Sequence, residues 1–155
     1  MSRKLKIYLA SRYSRREELC GYRSQLAELG HTVTARWLDG KHQIDHTGQP
    51  IGDDGESLIE GTGFGASLAA DRMRVRFASQ DLADLRDASL VISFTEAPDS
   101  PHSRGGRHVE FGYAVASRKS LIVVGYRENL FHYLPGVRFF ERWEECLDVL
   151  QPSPN

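Results

Sequence analysis

The chain has 155 residues, with 20 basic against 21 acidic side chains and a formal net charge of −1. One domain with a real core is therefore expected, and no global charge draws the chain to a nucleic acid polymer or an anionic membrane. No apolar run approaches the ~20 residues of a membrane span, and the basic stretch 1–6 passes at once into a strand-like run, so neither a signal peptide nor a membrane anchor is predicted. Cys20 and Cys146 lie far apart without a Cys-x-x-Cys partner and read as reduced thiols of a cytoplasmic protein.

Residues 6–10 are a short run of strand formers ending in a polar turn. Ser14 with Glu17 three residues on is a capping-box pattern, and the recurrence of Leu19, Tyr22, Leu26 and Leu29 predicts a helix over 15–29, stopped by Gly30. Residues 32–38 alternate and are β-branched at the start, which predicts a second strand and so a β-α-β unit with parallel strands. Residues 39–67 are glycine-rich and poor in large apolar side chains, the composition of a long functional loop. Within it, residues 61–67 resemble a dinucleotide fingerprint only superficially, because no strand precedes them; no cofactor is expected.

A second helix is predicted over 68–86, with Phe77, Ala78, Leu82 and Leu85 toward the core and Asp81 and Asp84 near the edge of that face. Residues 90–94 read as a strand covered on both faces, 119–125 as a fourth strand, 137–140 as a fifth and 141–150 as a closing helix, before a flexible tail over 151–155. The alternation predicts a single α/β domain over 1–150, a doubly wound (flavodoxin/Rossmann-like) sheet of about five mainly parallel strands with helices on both faces. Ligands of such sheets lie beyond the carboxyl ends of the strands. The stretches 11–16, around Trp37 and 103–110 all follow strand ends and are expected to converge there.

The stretch 103–114 runs from a glycine-rich loop into a helix predicted to reach Arg118, and the unpaired N–H groups of such a helix start can hold an anion. Glu110 is expected within the first turn, where the helix dipole favours its charged form and makes it a candidate nucleophile toward a sugar. Asp81 is the candidate acid or orienting group, since two carboxylates across a sugar are the usual equipment for glycosyl transfer through a covalent intermediate. Arg12, Arg15, Arg16, Arg104, Arg107, His102 and His108 gather positive charge in the same region, for which a phosphate is the simplest ligand. His42, His46, His102 and His108 lack metal-site spacing and cysteine company, so no metal is expected. No Gly-x-Ser-x-Gly elbow is present for serine chemistry.

The run Ile7-Tyr8-Leu9-Ala10-Ser11, the Gln80-Asp81-Leu82 block with Asp87 before a strand, and above all Gly106-x-x-Val109-Glu110-Phe111-Gly112-Tyr113-Ala114 occur in the order seen in a known superfamily. Together they resemble the nucleoside 2-deoxyribosyltransferases, a superfamily that includes the nucleoside 5′-monophosphate N-glycosidases. The resemblance covers the chain from its first strand to about Val137. It implies that Glu110 attacks the anomeric carbon, that Asp81 supports it, and that Tyr8 helps to place the glutamate and the sugar. It also matches Asn129-Leu130 to a pair that reaches a neighbouring subunit's site, and so implies a homo-oligomer with shared active sites.

One departure bears on the substrate. Transferases of free nucleosides carry an acidic residue about six positions before the glutamate, where this chain has Arg104 beside Ser103. A cation and a hydroxyl there suit a 5′-phosphate, with Ser11, Arg12 and Gly106 as further candidate ligands, Trp37 as a stacking partner for the base and His42 as its hydrogen-bonding partner. The expected activity is hydrolysis of the N-glycosidic bond of a nucleoside or 2′-deoxynucleoside 5′-monophosphate, with a pyrimidine base favoured by resemblance to cytidylate hydrolases. The 39–67 loop is expected to close over the base. Base exchange on deoxynucleosides, a non-catalytic nucleotide-binding module and, on fold grounds alone, a flavodoxin-like electron carrier are the rival readings.

Overall fold

The computed structural model describes residues 4–40, 68–100 and 105–152. The expectations placed on the 41–67 loop, on His42, His46, His102, Ser103 and Arg104, and on tail residues 153–155 lie outside the described residues. Five strands, β1 (Lys6–Ala10), β2 (Thr32–Val33), β3 (Leu90–Phe94), β4 (Ser120–Val124) and β5 (Val137–Phe140), form one sheet in the order β2-β1-β3-β4-β5. Every neighbouring pair is parallel. The four α-helices among the described residues are α1 (Arg16–Glu28), α2 (Leu68–Asp87), α3 (Gly106–Ala116) and α4 (Trp143–Leu150). This order is the doubly wound one in which the chain reverses direction across the sheet between β1 and β3. No described helix is long and apolar enough to cross a membrane.

A parallel sheet covered on both faces needs strands that are apolar without alternation, and all five residues of β3 are buried. On one face the rings of Tyr22 in α1 and Trp143 in α4 stack at 4.4 Å, Tyr22 stacks on Phe94 at 5.4 Å, and Trp143 Nε1 donates to Gln25 at 2.6 Å. On the other face α3 turns Phe111 and Ala114 onto the sheet, and α2 adds Phe77 and Leu85. Both cysteines are free, and burial pushes the Cys146 thiol up to about 12.

The helix ends follow from backbone chemistry. Gly30, at φ 84°, closes α1 as predicted, with Gly30 N–H donating to Ala27 at 2.9 Å and His31 N–H to Leu26 at 3.0 Å. The start of α1 differs from the capping box, because a 3-10 turn over Tyr13–Arg15 leads directly into the helix and no side chain caps it. The second strand is also shorter than predicted. After Val33 the chain leaves the sheet and folds into a 3-10 turn, Arg36–Asp39, because Trp37 turns inward and donates from Nε1 to Leu9 O at 2.9 Å.

The inward face of α2 is rotated from the expected one. Leu82 is 41% exposed while Asp84 is 5% exposed, so the helix buries a carboxylate where the apolar pattern placed a leucine. The reason is a partner far away in sequence, Arg36, described below.

Helix α3 stops at Ala116 and its chain reverses through Arg118, the one described non-glycine residue with positive φ, 54°. Lys119 N–H reaches back to Ala114 O at 3.0 Å, a closure that normally uses glycine because a Cβ is strained there. Arg118→Gly is expected to stabilise the protein by about 0.5–1 kcal/mol, raising the thermal midpoint by about 1–4 °C; an unchanged or lower midpoint by calorimetry contradicts this.

Candidate active site

The site lies along β1, at the point in the strand order where the chain reverses direction between the neighbours β1 and β3. Tyr8 projects from the centre of β1, is wholly buried, and donates its phenol proton to Glu110 Oε1 at 2.6 Å. Burial first, then the charges of Glu110 and Asp81, hold the Tyr8 hydroxyl well above its ordinary range. It is therefore a donor at any physiological pH and fixes one oxygen of the glutamate.

Glu110 is the fifth residue of α3, and the first turn of that helix contains no acidic residue. The expectation that the helix dipole would act on it from the first turn is corrected accordingly. What places the carboxylate is the helix phase: Arg107, Phe111 and Ala114 are buried around it, which turns Glu110 toward β1. The helix start itself is uncapped by side chains, with Gly105 in the left-handed region at φ 78° and Gly106 following. A glycine at position 105 is what lets the loop enter the helix at that angle.

Asp81 and Asp84 contribute two further carboxylates from α2. Asp84 accepts Arg36 N–H at 2.8 Å on Oδ2 and Arg36 Nε–H at 2.7 Å on Oδ1. Burial raises the Asp81 carboxyl to about 7, the charge of Asp84 adds to the rise, and Arg36 opposes it. Near neutrality Asp81 thus divides between acid and base forms, the condition for a general acid.

The predicted cation cluster looks different in three dimensions. Arg107 is buried (4% exposed) and pairs with Glu128 through both Nε and Nη2. Arg15 donates to Glu18 at 2.8 Å, to Glu96 at 3.3 Å and to Thr95 O at 3.2 Å, and Arg12 Nε lies 3.4 Å from Glu96. Arg16 donates to Leu38 O at 3.0 Å. Arg107 and Arg15 are thus chiefly struts between loops. The Ser11 hydroxyl is buried at the end of β1 and has no hydrogen-bond partner among the described residues.

Trp37 is 6% exposed and commits its indole N–H to Leu9 O. It packs beneath Tyr13 at 6.0 Å, so its predicted role as an open stacking face for a base is corrected to one of support; Tyr13 is the more exposed ring of the two. Asn129 caps its own loop, accepting Phe131 N–H at 2.9 Å. The ligand atoms of His108, Glu128 and His132 lie within 4.8 Å of one another. A cation there would compete with Arg107 for both oxygens of Glu128. Sequence reasoning missed Arg36, Glu96 and Glu128, and no local signal could have found them, since each acts on a residue 21–84 positions away.

No family sequence model and no curated protein matches the chain. Among solved structures, it is similar to a 2-deoxyribosyltransferase from the psychrotolerant bacterium Bacillus psychrosaccharolyticus, with a TM-score of 0.61 at 20% identity, covering 97% of this chain and 98% of that one. It is also similar to the CMP N-glycosidase BcmB of Clostridium botulinum, with a TM-score of 0.54 at 19% identity, covering 94% and 97%. The shared fold extends over nearly the whole length of all three chains.

The raised Asp81 carboxyl has a consequence for stability. Its folded value of about 7 lies above the ordinary 3.8, so the native state binds the extra proton, and stability is lost as pH rises from about 4 through about 7. Asp81→Asn removes that dependence. Relative to wild type, the variant is expected to gain on the order of 2–4 kcal/mol at pH 8 and nothing at pH 4. A gap independent of pH in denaturant titrations contradicts this.

Proposed function

We propose that the protein is an N-glycosidase that hydrolyses a nucleoside or 2′-deoxynucleoside 5′-monophosphate, pyrimidine favoured, through a glycosyl-Glu110 intermediate. The observation that carries the reading is the Tyr8–Glu110 hydrogen bond of 2.6 Å, with a carboxyl titrating near 7 at Asp81 beside the same phenol. A fold shared with a CMP N-glycosidase and a 2-deoxyribosyltransferase supports it.

In the first step a Glu110 oxygen bonds to the anomeric carbon as the bond from that carbon to the base nitrogen breaks, and Asp81 gives its proton to the departing base. In the second, water attacks the anomeric carbon, Asp81 takes up its proton, and the Glu110 ester bond breaks to release sugar phosphate. Tyr8, holding Oε1, fixes the orientation of the carboxylate throughout. No cofactor or metal enters these steps. The phosphate would be held by the exposed N–H groups at Gly106, by the Ser11 hydroxyl and by Ser103 and Arg104, with Arg12 at the margin.

Base exchange between deoxynucleosides is the second reading. The likeness to a 2-deoxyribosyltransferase favours it, as does the engagement of Arg107 and Arg15 with carboxylates, which leaves fewer cations for a phosphate. A homo-oligomer with shared sites belongs to either reading, and the exposed Leu130, Phe131 and Tyr133 after Asn129 are its natural contact.

Base release from ribo- and deoxyribonucleosides and their 5′-monophosphates, followed by chromatography, decides between these readings. Wild type is expected to release base from monophosphates only. Glu110→Ala should lose at least about 10³-fold in kcat and Tyr8→Phe about 10- to 100-fold with KM little changed. Release from free deoxynucleosides, stimulated by an acceptor base, would move the protein to the transferases. No release from any substrate would leave a binding module.

Arg104 gives a second, independent check. Arg104→Asp is expected to raise KM for the nucleotide about tenfold or more while affecting the nucleoside little, as loss of a charge-assisted contact to phosphate requires; equal effects on both would remove the phosphate from the reading.

A further inference from the structure

Asp81 and Asp84 lie three residues apart on α2 and so share one side of the helix. Two carboxylates so placed in a poorly solvated interior do not readily ionise together. Which one keeps the charge depends on the hydrogen bonds each receives. Asp84 receives two from one residue: Arg36 donates its main-chain N–H at 2.8 Å and its Nε–H at 2.7 Å, one to each oxygen. The turn that carries Arg36 is in turn pinned to β1 through Trp37. Among the described residues, Tyr8 from β1 also meets the charge of Asp81, and beyond the phenol lies Glu110 from α3.

We propose that Arg36 and Asp84 are a positioning pair that fixes Asp84 as the charged carboxylate of α2 and thereby makes Asp81 the one that carries the proton for the departing base. The charge balance around Asp81 agrees, since Asp84 raises its titration and Arg36 lowers it. The arrangement also gives Arg36 a reason to be where it is. Its side chain is half-exposed, an unremarkable position for a salt bridge that only adds stability, yet it meets a carboxylate that is almost fully buried. The inference deepens the glycosidase reading and rests on it for what the proton does, but on the two contacts from Arg36 to Asp84 for which carboxylate is held charged.

Carbon-13 NMR of the Asp81 side-chain carboxyl, titrated in wild type, Asp84→Asn, Arg36→Lys and Arg36→Gln, tests the pair without any substrate. The base-release pH profile of the same proteins tests its use. Asp84→Asn removes the neighbouring charge, so the Asp81 midpoint is expected to fall by about one pH unit or more, and the alkaline limb of base release to fall with it. Arg36→Lys keeps the charge and should leave both close to wild type. Arg36→Gln, at a half-exposed position that tolerates the change, removes what holds Asp84 charged, so Asp84 should take a share of the proton and the Asp81 midpoint should move, with part of its amplitude passing to Asp84. An Asp81 midpoint that stays put in both Asp84→Asn and Arg36→Gln, in proteins with wild-type near-ultraviolet circular dichroism, overturns the proposal, as does a wild-type proton found on Asp84. If the midpoints move as expected but no substrate releases base, the pair stands and the glycosidase reading falls. If base is released and the midpoints do not move, the reading stands and the pair falls.

Discussion

The hydrogen bond from Tyr8 to Glu110 joins the two elements on which the site depends, and most of the fold can be understood as what that bond requires. A phenol at the middle of β1 reaches a helix only if the strand lies inside the sheet with that face covered. The order β2-β1-β3-β4-β5 puts β1 there. The helix must also present its carboxylate inward, and Phe111 and Ala114, packed onto the sheet, set that rotation. A buried phenol without a partner would cost about 1–3 kcal/mol, so the contact is also the solution of a burial problem created by placing a tyrosine in a core strand.

Around that centre the charges divide into those that brace and those that remain for a ligand. Glu96 draws Arg12 and Arg15 from the end of β1 to the loop after β3, its N–H donates to Glu128 at 3.1 Å, and Glu128 holds Arg107 at the start of α3. The loops after β1, β3 and β4 are tied together by this chain of pairs, with Thr95 adding a bond to Val124 O and receiving Tyr126 N–H. Gly125 completes the junction: at φ 114° a Cβ there would come within 2.8 Å of Thr95 Oγ1. Removing one member of a pair such as Arg107–Glu128 would strand the other charge in the interior.

The alternation of short apolar runs with helical periods is enough to read the parallel sheet, apart from the length of β2, and all four described helices to within a few residues, because those features depend on local periodicity. The order of three short motifs singles out Tyr8, Asp81 and Glu110, and the fold brings Tyr8 and Glu110 into hydrogen-bond contact. What failed were statements about direction. Leu82 was assigned inward and is exposed, because Arg36, 48 positions from Asp84, makes it possible to bury a carboxylate in its place. Trp37 was read as a surface for a base and is buried, because a carbonyl of β1 accepts its N–H. Arg107 was counted toward a phosphate site and faces Glu128 instead. In each case a polar group found its partner across the fold, and pairing of that kind leaves no period in a sequence.

A proton donor near neutrality has to meet opposing demands. It must be buried enough for its neutral form to persist, yet lie close enough to a fixed charge for its proton to be tunable. A single carboxyl in an apolar pocket meets only the first, because burial alone sets its value and leaves nothing to adjust. Asp81 is partly buried beside a second carboxylate whose own charge is satisfied by Arg36, and so its titration is raised by two causes and moderated by a third. The accompanying cost appears as stability lost toward alkaline pH. That is the expected direction of trade between a candidate site and its fold.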